Sequence, residues 1–162
     1  MKICIIEGPL LDKVGTREPS VYGSFTRDDL VRTTLEKAGQ LSVSIEFMNS
    51  YLEGELAGLI AGCKCDGMVL NPGAYTHTSV LIRDAALCSG IPFVEAHLTN
   101  IFGREDFRHR SFLSDIASAF ICGLGIYTYA SAVEALYLIL KNYENRSSKT
   151  EVLKLDKDTP QH

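Results

Sequence analysis

The sequence predicts an α/β protein: a parallel sheet of five strands, joined by right-handed crossovers and covered by helices on both faces. Three observations carry that expectation. Short apolar runs alternate with longer amphipathic ones along most of the 162 residues. The apolar runs have the length and the flanking turn residues of buried strands. Two long polar connections each follow the C-terminal end of a strand, the edge where open α/β sheets carry their ligands.

Ile3 to Ile6 opens the chain as the first buried strand. Thr26-Arg-Asp-Asp then starts a helix running to about Ala38, with Gly39 as its stop. Leu41 to Met48, rich in β-branched residues, is the second strand, and Leu52 to about Ala61 the next helix. Met68 to Leu70 is the third strand and Ser79 to Ser89 a helix closed by Gly90, with Thr76 or Thr78 as its cap. Phe93 to Ala96 and Ala119 to Leu124 supply the fourth and fifth strands. Ala130 to Tyr143 is a long closing helix, apolar at Ala132, Ala135, Leu136, Ile139 and Leu140. This gives a single domain over residues 1–144, and the charged stretch 145–162 reads as a loosely docked tail.

Composition excludes several classes. A hydrophobic fraction of 46% with 22% charged residues fits a soluble globular domain, and the net charge of −4 offers no broad basic surface for nucleic acid. No apolar run reaches the roughly 18 residues of a membrane span. The start, Met-Lys-Ile-Cys-Ile-Ile, enters a strand at once and has no signal-peptide pattern, so a cytoplasmic protein is expected. Of five cysteines, Cys63 and Cys65 are one residue apart, unlike common zinc or thioredoxin-like spacings. They read as reduced core side chains, and no metal is expected. His77, His97 and His109 also lack the short spacing of helical zinc sites. Gly123-Leu-Gly125 is followed by Thr128 where a dinucleotide fingerprint needs its third glycine, and there is no phosphate loop or nucleophile elbow.

The chemistry lies in the connections. Asn71-Pro-Gly-Ala-Tyr-Thr-His-Thr-Ser79 puts an amide, an imidazole and hydroxyls between a buried strand and a helix start. Capping explains one hydroxyl and leaves Asn71 and His77 over; the free N–H groups of the helix start favour a small anion. The first long loop, 8–24, holds Gly15-Thr-Arg-Glu-Pro19 and Tyr22-Gly23. Arg17 and Tyr22 read either as a surface cation and a packed ring, or as a phenol acidified by a guanidinium to act as a base. In Glu95-Ala-His97 the two side chains share a strand face. That is either a satisfied structural histidine or a general acid held by its carboxylate. Arg104, Glu105, Arg108, His109 and Arg110 make the second long loop, 98–112, dense in charge.

Together, Gly-Thr-Arg-Glu-Pro-x-x-Tyr-Gly, the Asn71–Ser79 motif, Glu-x-His-Leu-Thr-Asn-Ile and Arg-Glu-x-Phe-Arg closely resemble the type II 3-dehydroquinate dehydratases, in family order from about Lys2 to Tyr143. The resemblance implies a flavodoxin-like fold, a place in the shikimate or quinate pathway, assembly as a dodecamer of four trimers, and no cofactor or metal. It implies anti elimination of water from 3-dehydroquinate through an enolate, giving 3-dehydroshikimate. It makes Tyr22 the base, Arg17 the group that lowers its pKa, His97 the general acid and Glu95 its partner. Asn71 with the backbone N–H groups of Leu98 and Thr99 becomes the carboxylate site. His77 and Arg108 bind ring hydroxyls, and Asp84 is donated into a neighbouring subunit's pocket.

The chain departs from the family pattern at Gly8-Pro9-Leu10, where the family usually has Gly-Pro-Asn and the Asn positions a water against the enolate oxygen. Either another polar side chain such as Asp12 takes over, or turnover is slow. Glu7 stands where Asn or Gln is common and places an extra carboxylate near the pocket; Phe102 replaces a frequent His. A weakly active or non-catalytic relative that binds a quinate-like acid is therefore the alternative. A flavin-binding protein is disfavoured, because Pro-Leu-Leu-Asp-Lys-Val is not a phosphate-wrapping loop.

Overall fold

Five parallel strands form one sheet in the order β2-β1-β3-β4-β5 in the computed structural model, which describes residues 1–15 and 25–155. The strands are β1 (Lys2–Glu7), β2 (Ser44–Asn49), β3 (Gly67–Asn71), β4 (Phe93–His97) and β5 (Ala119–Cys122). Four helices connect or close them: α1 (Arg27–Leu41), α2 (Glu53–Ala61), α3 (Val80–Ser89) and α4 (Thr128–Leu155). This order is the flavodoxin-like one, and the chain reverses direction across the sheet between β1 and β3. No described helix is long and apolar enough to cross a membrane.

Strand alternation divides the core. Ile3, Ile5, Val69, Val94 and Ala96 face one side, where they bury Leu30 of α1 and Tyr129, Val133 and Leu136 of α4. Cys4, Ile6, Met68, Leu70 and Phe93 face the other, against Leu56 and Ile60 of α2 and Ile82 and Ala86 of α3.

Local chemistry sets the boundaries, and some differ from expectation. Thr26 caps α1 through a reciprocal box: its hydroxyl accepts from the Asp29 N–H, and the Asp29 carboxylate accepts from the Thr26 N–H at 3.0 Å. Gly39 does not end that helix; the chain leaves it at Ser42, in the left-handed region at φ 54°. The cap of α3 is Ser79, whose hydroxyl accepts from Ile82 N–H at 3.0 Å, not Thr76 or Thr78. A 3-10 turn over Gly73–His77 intervenes and buries Thr76 before α3 begins. Helix α4 continues past the expected end at Tyr143 to Leu155. No glycine or proline interrupts that stretch, so nothing in the local propensity stops the helix.

Candidate active site

At the C-terminal edge of the sheet, where β1 and β3 part, the two strand ends touch. Gly8 N–H donates to the Asn71 carbonyl at 2.8 Å. The approach requires glycine: a Cβ on Gly8 would lie 2.1 Å from the Pro72 carbonyl oxygen. Beside this contact opens a pocket of about 190 Å³, lined by Leu10, Asn71, His77, His97, Leu98, Thr99, Arg104 and Arg108 among others.

Glu95 and His97 project together from β4 and are both buried. Nε2 of His97 lies 2.8 Å from Glu95 Oε1; a carboxylate can only accept, so Nε2 carries the proton and Nδ1 is left as the exchangeable nitrogen. Ser111, near the end of the charged loop, donates its hydroxyl to the same Oε1 at 2.7 Å. Its direction is fixed, because Ser111 Oγ also accepts from the N–H groups of Leu113 and Ser114 at 2.9 and 3.1 Å. The other carboxylate oxygen, Oε2, has no hydrogen-bond partner among the described residues.

The 3-10 turn after β3 carries His77 to 6.1 Å from the His97 ring, stacked on it. Its Nδ1 lies 2.8 Å from the Arg110 carbonyl, which only accepts, so Nδ1 holds the proton and Nε2 is an acceptor. Burial pushes the His77 pKa down, with help from His97 and Arg108 and against the pull of that carbonyl. His77 is therefore neutral near pH 7.

Asn71 comes from the other face of the sheet and is held from beneath. Its Nδ2 donates to the Tyr129 hydroxyl at 2.8 Å, and that hydroxyl donates to Glu7 Oε1, also at 2.8 Å. Arg27 closes the chain with both guanidinium nitrogens on the Glu7 carboxylate. Tyr129 is fully buried next to Glu7; burial first, then that carboxylate, holds its phenol far above the usual range, so it stays a donor. Burial also raises the Glu7 carboxyl, opposed by Arg27 and Tyr129. The extra carboxylate expected near the pocket is thus sequestered behind it and is absent from its lining.

Arg104 and Arg108 bring positive charge to the pocket wall, with Arg108 Nε donating to Glu105 at 2.8 Å. Leu98 and Thr99 line it just beyond β4, while exposed Asp84 sits on α3, outside this chain's pocket. His109 is turned to the Arg104 carbonyl at 3.1 Å. Arg17 and Tyr22 lie outside the described residues. Asp12 does not serve the pocket: its carboxylate accepts from the Tyr51 hydroxyl at 2.5 Å, which holds its pKa low. Leu10 itself is 44% exposed and left-handed, with φ 67°.

Three residues gain a place here that the sequence did not assign. Arg104 begins the Arg-Glu-x-Phe-Arg motif but had no part of its own there. Ser111 has no motif around it. Tyr129 looks like one more apolar residue at a helix start, and only the fold sets it between Glu7 and Asn71.

The chain is similar to known proteins over most of its length. The family described as dehydroquinase class II matches residues 1–137. A 3-dehydroquinate dehydratase of Prochlorococcus marinus is 46% identical over 143 residues, covering 87% of this chain and 99% of its own. A catabolic 3-dehydroquinase of Verticillium alfalfae is 50% identical over 135 residues, covering 82% and 90%. The crystal structure of the type II dehydroquinase of Butyrivibrio crossotus superposes with a TM-score of 0.79 at 38% identity, covering 84% of this chain and 97% of that one.

Proposed function

The chain belongs to the class II dehydroquinase family, and from that premise we infer that it is a 3-dehydroquinate dehydratase, a hydro-lyase. The observation that carries the reading is the buried Glu95–His97 pair, whose imidazole lines a small pocket that also holds an amide and two arginines. A β-hydroxyketone that loses water needs a base, an acid, an anchor for its carboxylate and a stabiliser for the enolate.

In the proposed reaction the substrate carboxylate docks on Asn71 and the backbone N–H groups of Leu98 and Thr99. Neutral His77 and the Arg108 guanidinium hold ring hydroxyls, and Arg104 adds attraction for the anion. Tyr22, ionised by Arg17, removes the proton alpha to the ketone. The electron pair passes to the carbonyl oxygen, and the enolate then expels hydroxide as His97 protonates it. Glu95 supports His97 by stabilising the charged imidazole. Asp84 acts across a subunit contact, within a dodecamer of four trimers in the cytoplasm. The family match ends at residue 137, which supports a catalytic unit over 1–144 with a charged extension.

A second reading, a relative that binds a quinate-like acid with little turnover, is favoured by Leu10. The pocket has no polar group at that position, and Asp12 is engaged by Tyr51. Ultraviolet absorbance of the conjugated enone separates the two. Turnover of 3-dehydroquinate is expected, abolished or nearly so by Tyr22→Phe and strongly lowered by Arg17→Ala. Wild-type turnover in Tyr22→Phe refutes the assigned base. Saturable binding without any enone supports the second reading.

A further inference from the structure

Away from the pocket, toward the N-terminal ends of the strands, three thiols meet. Cys4 points from β1 toward α2, and Cys63 and Cys65 lie on the turn that leads from α2 into β3. Their sulfurs all lie within 4.8 Å of one another, and Cys63 Sγ is 3.3 Å from Cys65 Sγ. Tetrahedral zinc with Zn–S bonds of about 2.3 Å sets its sulfurs about 3.8 Å apart, so shifts of about 1 Å or less would seat an ion. Glu46 is the register partner of Cys4 on β2 and shares its face; its Oε2 lies 3.9 Å from Cys4 Sγ. A surface depression of about 300 Å³ reaches Cys4, Glu46 and Cys63 and supplies an entry path.

We propose that Cys4, Cys63 and Cys65 bind one Zn2+, with Glu46 as the fourth donor, in a structural site separate from the dehydratase pocket. The ligand set is the soft-sulfur type that zinc favours, and four donors close the coordination shell. Each thiol releases its proton to solvent on binding, and Glu46 exchanges its ion pair with Lys2, 2.7 Å away, for the metal. The site would tie the α2–β3 turn to the β1–β2 edge. Spacing could not reveal the site, because Cys4 joins the pair only through the β1–β3 alignment.

The test is titration of the reduced full-length chain with Co2+, followed by Zn2+. One equivalent of Co2+ should bring a thiolate-to-cobalt charge-transfer band and the intense visible bands of a tetrahedral ion, both bleached by Zn2+. Outer-sphere partners of metal sites are typically worth ~10–100-fold in affinity, so losing a ligand should cost at least ~100-fold. Cys63→Ser and Cys65→Ser, both between α2 and β3, should each show that loss while circular dichroism shows the fold retained. Glu46→Gln should weaken binding less, and Cys88→Ser, on exposed α3, not at all. Absence of the charge-transfer band while all five thiols titrate as free overturns the proposal. So does a band that survives in the Cys63→Ser/Cys65→Ser double variant.

Discussion

Leu10→Asn tests the least family-like position of the pocket in two independent ways. Leucine at φ 67° sits in a region that costs an L-residue with a bulky side chain roughly 1–2 kcal/mol, whereas Asn enters it readily. Leu10 is 44% exposed, so its contacts contribute only part of the ~1.5–3 kcal/mol that a fully buried leucine is worth. Relief and loss therefore nearly cancel in Leu10→Asn. Leu10→Ala loses similar contacts and keeps the strain, so Asn should be the more stable of the two by about 1 kcal/mol. For a chain of this size that difference is roughly 2–4 °C in Tm.

The rate prediction is separate. A preorganised donor facing a developing oxyanion is worth up to ~10²–10³ in kcat, so Leu10→Asn should raise turnover at least tenfold. Leu10→Gly, which also accepts positive φ but carries no polar group, should leave it near wild type. Thermal and urea denaturation at matched protein concentration, with the enone assay on all four proteins, reads both effects. Asn no more stable than Ala would refute the strained backbone. Equal turnover in Asn and Gly would refute the missing donor.

Three further outcomes follow from the same geometry. Tyr129→Phe strips Asn71 and Glu7 of a shared hydroxyl and leaves a buried amide N–H unpaired, which costs about 1–3 kcal/mol; KM should rise more than kcat falls, and an unchanged KM would detach Asn71 from substrate binding. Ser111→Ala removes a donor from a buried carboxylate and should lower stability by about 1.5–3 kcal/mol in denaturant titrations; a loss below about 0.5 kcal/mol would mean that Glu95 does not depend on it. His77 titrates below its unfolded value near 6.5, so the unfolded chain binds the extra proton first. Its contribution to stability is complete above about pH 6.5 and fades as pH falls toward the lower folded value. Urea midpoints between pH 7 and 5.5 should therefore fall more steeply for wild type than for His77→Gln; parallel curves would show that the fold does not hold His77 as a neutral ring.

The sheet and most of the pocket were legible because their signals are local. Apolar runs of strand length mark β1 to β5, and the Asn71–Ser79 and Glu95–His97 motifs each sit within one turn or strand. Helix ends were less legible where a residue other than glycine takes the left-handed turn, as Ser42 does, or where a 3-10 turn delays the helix, as before Ser79. Partners from distant segments left no mark. Tyr129 meets Glu7 across 122 residues of sequence, and Cys4 meets Cys63 only once β1 and β3 pair.

Glu7 shows how a substitution can look hostile to function in sequence and be harmless in the fold. A free carboxylate beside an anion site would repel the substrate. Strand alternation instead turns Glu7 to the face covered by α1 and α4, where it is 0% exposed. There Arg27, stacked 5.0 Å over the Phe47 ring, meets it with both guanidinium nitrogens, and Tyr129 supplies a third donor. The buried charge is paired, which is the condition for tolerating it. The same network takes the Asn71 amide as its last member. With its Nδ2 committed to Tyr129, the amide cannot flip without breaking a buried hydrogen bond, so the carboxylate that looked like an intruder helps fix the group proposed to anchor the substrate.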